Sequence, residues 1–189
     1  MMTERDGALA QRALIDRADC ALLIIDAQER LIPVLTGADR AAANILRLLK
    51  FARIVGLPVI VTEQQKLGPS LAEIRAELGD EEPRIKTEFD CLLNPAFRDR
   101  LQRLGRSTLI LAGFEAHICV ALTALHAAGT HLVHVAGDAT ASRDPENKAV
   151  ALERLGRAGV VVTSTEMAIY EILQRAGTDE FRSVLPLVK

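Results

Sequence analysis

Aromatic side chains are scarce in this chain, with no Trp, one Tyr and five Phe, 3% in all. A surface that stacks nucleobases draws on such rings. Basic charge is not in excess either: 23 Lys plus Arg face 25 Asp plus Glu, a net charge of −2. Without a basic stripe, nucleic acid is not an expected partner. No run approaches the roughly 18 apolar residues of a membrane span. Glu4, Arg5, Asp6, Arg12, Asp16 and Arg17 interrupt the N-terminal stretch, so it has no apolar core for a signal peptide. The three cysteines, Cys20, Cys91 and Cys119, lie far apart with no Cys-x-x-Cys pair. An odd, unpatterned set fits a reducing compartment rather than a disulfide framework. A soluble cytoplasmic enzyme of small-molecule chemistry is the expectation.

What is present is globular: 189 residues, 49% hydrophobic and 25% charged. That length suits one domain over 1–189, with residues 1–18 as an N-terminal extension. Short apolar runs alternate with helical patterns. The predicted strands are Cys20 to Asp26, Val59 to Thr62, Arg84 to Lys86, Leu109 to Ala112, His131 to Ala136 and Val160 to Thr163. Between them, helices are predicted over Ala38 to Val55, about Leu71 to Leu78, Pro95 to Leu104, Ile118 toward Gly129, and Pro145 to about Leu155. Two more close the chain, over Ser164 to Arg175 and Asp179 to Leu185. Asn94-Pro95 and Asp144-Pro145 read as helix starts, with Pro at the first helical position.

Near-continuous apolar strands alternating with helices predict a three-layer α/β/α fold on a six-stranded, mostly parallel Rossmann-like sheet. In the common order 3-2-1-4-5-6, strands one and four meet at the topological switch point, where ligands bind beyond the strand ends. No Gly-x-Gly-x-x-Gly or P-loop follows the first strand, which argues against dinucleotide and nucleotide triphosphate binding.

Ser107 to Gly129 is the chemically informative stretch. A buried strand breaks at Gly113, and Cys119 falls in the first turn of the helix that follows, with Gly129 as its C-cap. A helix N-terminus favours a thiolate, so a thiol pKa below the reference of about 8.5 is expected there. Its unpaired N–H groups could also hold an oxyanion. The competing reading is a small buried hydrophobe. Asp26, ending the first strand, is a candidate general base and acid for that thiol, or simply a capping residue. Lys86, ending the third strand, could stabilise thiolate and carboxylate, or be a solvated surface lysine.

Asp26 in Ile-Ile-Asp-Ala-Gln-Glu-Arg, Lys86 in Ile-Lys-Thr-Glu-Phe, and Gly113-Phe-Glu-Ala-His-Ile-Cys-Val together resemble the isochorismatase-like cysteine hydrolase superfamily. Val61-Thr-Glu-Gln64 and the block around Cys119 resemble, within it, the isochorismatase-domain-containing branch. The resemblance runs from about Asp19 to Leu187. It implies an Asp-Lys-Cys triad of Asp26, Lys86 and Cys119. It also implies a cis peptide between Phe114 and Glu115 that aims N–H groups, including those near Ala116 and Cys119, at the oxyanion.

Nicotinamidases of the superfamily hold a metal after the second strand through an Asp and two His. Here that segment is Thr62-Glu-Gln-Gln-Lys-Leu-Gly, without His. His117, His126, His131 and His134 come later, and none repeats a zinc pattern, so no metal and no cofactor are expected. Gln64, Phe89, Phe114, Glu115 and His117 are candidate pocket residues. Phe89 and Phe114 could equally be core, and His117 could face a neighbouring subunit. Asp90 stands where relatives often carry a small hydroxyl residue. In Gly137 to Arg143, a structural turn with Asp138 bonded to backbone is preferred over an anion site. The expected activity is metal-free hydrolysis of a small amide-like C–N bond through a thioester on Cys119. The alternatives are a vinyl ether hydrolase that does not use the cysteine, and a thiol redox or binding protein. A homo-oligomer, dimer or tetramer, is expected from the resemblance.

Overall fold

The side chains of β1 (Cys20–Ile25) alternate between two hydrophobic clusters, which is why all six of its residues are buried. Leu22 and Ile24 pack on one face of the sheet, Ala21, Leu23 and Ile25 on the other. The computed structural model describes residues 14–189, so most of the predicted extension over residues 1–18 lies outside the described residues.

Five further strands complete the sheet: β2 (Val59–Gln64), β3 (Arg84–Lys86), β4 (Thr108–Phe114), β5 (Leu132–Ala141) and β6 (Val161–Thr163). Their order is 3-2-1-4-5-6 and every pairing is parallel. One face is covered by α1 (Ala38–Val55), the short α2 (Ala72–Glu77), α6 (Thr165–Leu173) and α7 (Asp179–Val188). The other is covered by α3 (Pro95–Leu104), α4 (Ala121–Ala127) and α5 (Pro145–Arg157). The three-layer architecture follows from apolar runs that must be hidden on both sides.

Local chemistry sets the helix ends. The Asn94 side chain accepts from Phe97 N–H with Pro95 at the first helical position, and Asp144 accepts from Glu146 N–H beside Pro145. Ser164 and Thr178 cap α6 and α7 in the same way. Gly56 closes α1 in the left-handed conformation. Gly129 does not take that role: α4 ends on Ala128 with right-handed backbone.

The largest departure from the predicted elements is β5, expected to stop at Ala136 but continuing to Ala141. Gly137 and Asp138 are poor strand formers, yet β4 offers a partner: after a register shift, Gly113 pairs with Thr140 and Phe114 with Ala141. The extension carries the chain along the switch point and delivers Ser142 and Arg143 to its rim. Asp138 serves the backbone as expected, its Oδ1 accepting from the N–H and hydroxyl of Thr165.

Candidate active site

Asp26 follows the last residue of β1 in a left-handed conformation, φ 53°, and is 1% exposed. Non-glycine residues avoid this region unless the surroundings enforce it. The surroundings here are specific. Thr62, level with Ile25 on the neighbouring strand, donates its hydroxyl to Asp26 Oδ1 at 2.7 Å. Lys86 reaches across from β3 and places Nζ 2.6 Å from Oδ2. The other acceptors of Nζ are Gln64 Oε1 at 2.7 Å and the Glu88 carbonyl at 3.1 Å. Three acceptors use up the three ammonium donors. Burial is the largest single influence on the Lys86 pKa and depresses it, but the Asp26 charge and hydrogen bond, together with Cys91 and Cys119, hold the pKa above the ordinary value.

Beyond β4 the chain turns sharply. Gly113 has φ 145°, and a Cβ there would run into the Ile25 carbonyl oxygen, so only glycine lets the two central strands approach. Glu115 is left-handed, φ 53°, and opens a wide π-type turn over Ala116–Val120 that continues into α4. The turn sets Cys119, 6% exposed, in the wall of a cavity of about 230 Å³ that Asp26 also lines. Of the three residues predicted to act together, Asp26 and Cys119 line this cavity and Lys86 lies behind Asp26.

Two expectations are corrected. The bond between Phe114 and Glu115 is trans, and no peptide among the described residues is cis. Paired positive φ angles at Gly113 and Glu115 make the reversal instead. The Cys119 thiol does not have a lowered pKa: burial pushes it up, and so does the facing Asp26 carboxylate, against the opposing pull of Lys86. Desolvation and a nearby carboxylate outweigh the partial charge of one short turn.

The remaining predicted residues divide. Gln64 lines the cavity and is fixed by donating Nε2–H to the Thr87 carbonyl. Both Phe89 and Phe114 line the cavity, Phe89 exposed and Phe114 fully buried. Glu115 lines the wall, and Ala116 is buried beneath it. His117 does not line the cavity; its Nδ1 lies 3.0 Å from Ser142 Oγ and 3.5 Å from Glu115 Oε2. Asp90 also turns away, capping Leu92 N–H and meeting His126 Nδ1 at 2.6 Å. Among the described residues no three His, Cys, Asp or Glu side chains cluster as a metal would require.

Three participants escaped the sequence reading. Thr62 was read only as a strand residue, although its register opposite Ile25 forces it onto Asp26. Gln28, fully buried, clamps the end of β2 by accepting from Gln64 N–H and donating to the Gln64 carbonyl. Cys91 lies behind Thr62, its Sγ 4.0 Å from the hydroxyl, with its thiol pushed up to about 12 by burial. It is wholly buried and off the cavity wall, which Cys119 lines.

Comparison with known proteins finds relatives of the same fold. The isochorismatase domain profile matches residues 20–167. Isochorismatase domain-containing protein 2 of Danio rerio is 33% identical over 171 residues, covering 88% of this chain and 85% of that protein. Among solved structures, the MAR1 ribonuclease from Caenorhabditis elegans superposes with a TM-score of 0.86 at 29% identity, covering 93% of this chain and 92% of that one. The Escherichia coli YcaC gene product, described as an octameric hydrolase of unknown specificity, gives 0.87 at 25% identity, with 92% and 88% covered.

Proposed function

The chain belongs to the isochorismatase domain family, and from that premise we propose that it hydrolyses a small amide-like C–N bond through a thioester on Cys119. The observation that carries the proposal is the shared cavity: a carboxylate anchored by Lys86 and a thiol face the same small volume. Asp26 takes the thiol proton as sulfur attacks the carbonyl carbon. Backbone N–H groups of the turn from Glu115 to Cys119 hold the oxyanion. The tetrahedral intermediate collapses, the C–N bond breaks, and Asp26 returns the proton to the leaving amine. Water then gives a proton to Asp26 while its oxygen attacks the thioester, and the departing sulfur recovers that proton from Asp26 as the acid is released. Lys86 remains charged throughout and keeps the carboxylate in place. No metal enters any step.

The raised thiol pKa supports this reading over a redox role, which needs a resting thiolate. A protonated thiol beside a base is suited to an attack in which proton transfer and bond formation go together. Although one structural neighbour is named a ribonuclease, a net charge of −2 and a cavity of about 230 Å³ favour a small molecule here. Self-association belongs to the proposal too, since exposed Val150, Met167 and Tyr170 offer apolar surface and one neighbour is an octamer. Mass spectrometry after mixing with a panel of amides tests the chemistry. A trapped acyl adduct on Cys119 is expected; an adduct on another residue overturns the mechanism.

A further inference from the structure

The hydroxyl of Thr62, wholly buried, donates to Asp26 at 2.7 Å, yet none of the proposed steps uses it. Thr62 grips Asp26 at two points. Its carbonyl accepts from the Asp26 N–H at 3.2 Å, and its side chain reaches Oδ1. Parallel pairing of β2 with β1 sets Thr62 level with Ile25, so the contact follows from sheet register and not from a loop. The carboxylate is thus divided: Oδ1 takes the Thr62 hydroxyl and Oδ2 takes Lys86. The three donors of Lys86 Nζ are spent on Asp26, Gln64 and Glu88, so the ammonium cannot replace Thr62 at Oδ1.

The direction of the hydroxyl is fixed as well. It has one proton to give and lone pairs to receive. Cys91 donates its S–H toward Thr62 Oγ1 across 4.0 Å, and burial keeps Cys91 a thiol, so the Thr62 proton is left for Asp26. Behind it, Cys91 N–H donates to the buried Thr123 Oγ1 at 3.0 Å, and Thr123 stands one turn beyond Cys119. A buried polar thread through Asp26, Thr62, Cys91 and Thr123 therefore joins the base to the segment that carries the nucleophile. A donor on a carboxylate takes up part of its charge. What the hydroxyl draws off, the nearby sulfur does not feel.

We propose that Thr62 is a positioning residue of this site, whose hydroxyl holds the Asp26 carboxylate in place and tempers the charge that faces Cys119. This rests on Asp26 and Cys119 acting together, as in the hydrolase reading above, but its test is alkylation and not turnover.

Iodoacetamide labelling of Cys119 at pH 8, located by peptide mapping, is compared in wild type, T62V, T62S, D26N and D26N/T62V. Val keeps the shape of Thr and removes the hydroxyl. T62V labels more slowly than wild type by about threefold or more, because a stronger charge beside the sulfur retains its proton. T62S restores the hydroxyl and with it the wild-type rate. With the carboxylate gone there is no charge to share, so D26N/T62V labels like D26N. T62A makes the same comparison should T62V not fold. Labelling of the hydroxyl-free variant at or above the wild-type rate overturns the inference. So does an equal slowing in the D26N background, because Thr62 would then act by packing alone. If labelling follows expectation while a panel of amides leaves no adduct on Cys119, the positioning role stands and the hydrolase reading falls. An acyl adduct on Cys119 in a protein whose labelling ignores Thr62 removes the inference and leaves that reading intact.

Discussion

Lys86 Nζ and Asp26 Oδ2 lie 2.6 Å apart, and both side chains are buried. Taking two charges out of water is costly, and the pair is held because each compensates the other. Removing one partner strands the other charge. Lys86→Met should therefore destabilise the fold by about 3–5 kcal/mol, the range for breaking a buried pair. The double variant Asp26→Leu with Lys86→Met should recover much of that loss. Urea denaturation of the three proteins checks it, and additive losses would show that the two residues do not act as a unit.

Asp26 should affect labelling and turnover in opposite directions. Its carboxylate is one of the groups holding the Cys119 pKa up, while Lys86 pulls it down. Asp26→Asn removes the first influence and leaves the second, so the thiol titrates at lower pH and alkylates faster at pH 7. Hydrolysis should nevertheless fall by about 10²–10⁴-fold, the contribution of a positioned general acid–base. A pH series of iodoacetamide labelling beside amide turnover measures both. Slower labelling in the variant would mean that Asp26 does not face the sulfur.

The sheet order and the placing of Asp26, Lys86 and Cys119 around the switch point were legible because both rest on where strands begin and end. Apolar runs mark strands; Asp26 and Lys86 stand where a strand ends, and Cys119 lies in the turn that follows one. Two things were not legible. The thiol pKa depends on what packs around sulfur, and Asp26 is 93 residues away in the chain. The length of β5 depends on β4, since Gly137 and Asp138 have no strand propensity of their own.

Gly113→Ala tests whether the switch point depends on backbone contact. The new methyl would meet the Ile25 carbonyl, and alanine at φ 145° is strained besides. Strain of this kind costs roughly 1–3 kcal/mol before the overlap is counted. Because β1 and β4 carry Asp26 and Cys119, the variant should lose activity even where it folds. A melting temperature and turnover rate close to wild type would mean that the strands shift without harm to the site.

His134 predicts an acid-sensitive fold. It sits near the start of β5 at 0% exposure, and neither ring nitrogen has a partner among the described residues. Burial pushes its pKa from 6.5 down to about 4. In the unfolded chain the ring takes up a proton as pH falls below about 6.5, whereas the folded protein resists it until about pH 4. Stability from this residue is therefore full above pH 7 and is lost across the window between those values. The loss amounts to about 3 kcal/mol at 1.36 kcal/mol per unit. Other groups titrate in the same range, so the informative quantity is the difference between wild type and His134→Met. That difference should grow in favour of the variant as pH drops from 7.5 to 4.5. The variant should also be no less stable at pH 7.5, because two buried polar atoms without partners are removed. Urea unfolding at pH 7.5, 5.5 and 4.5 provides the measurement. Parallel curves for the two proteins would mean that the imidazole finds a partner or a proton the folded structure does not show.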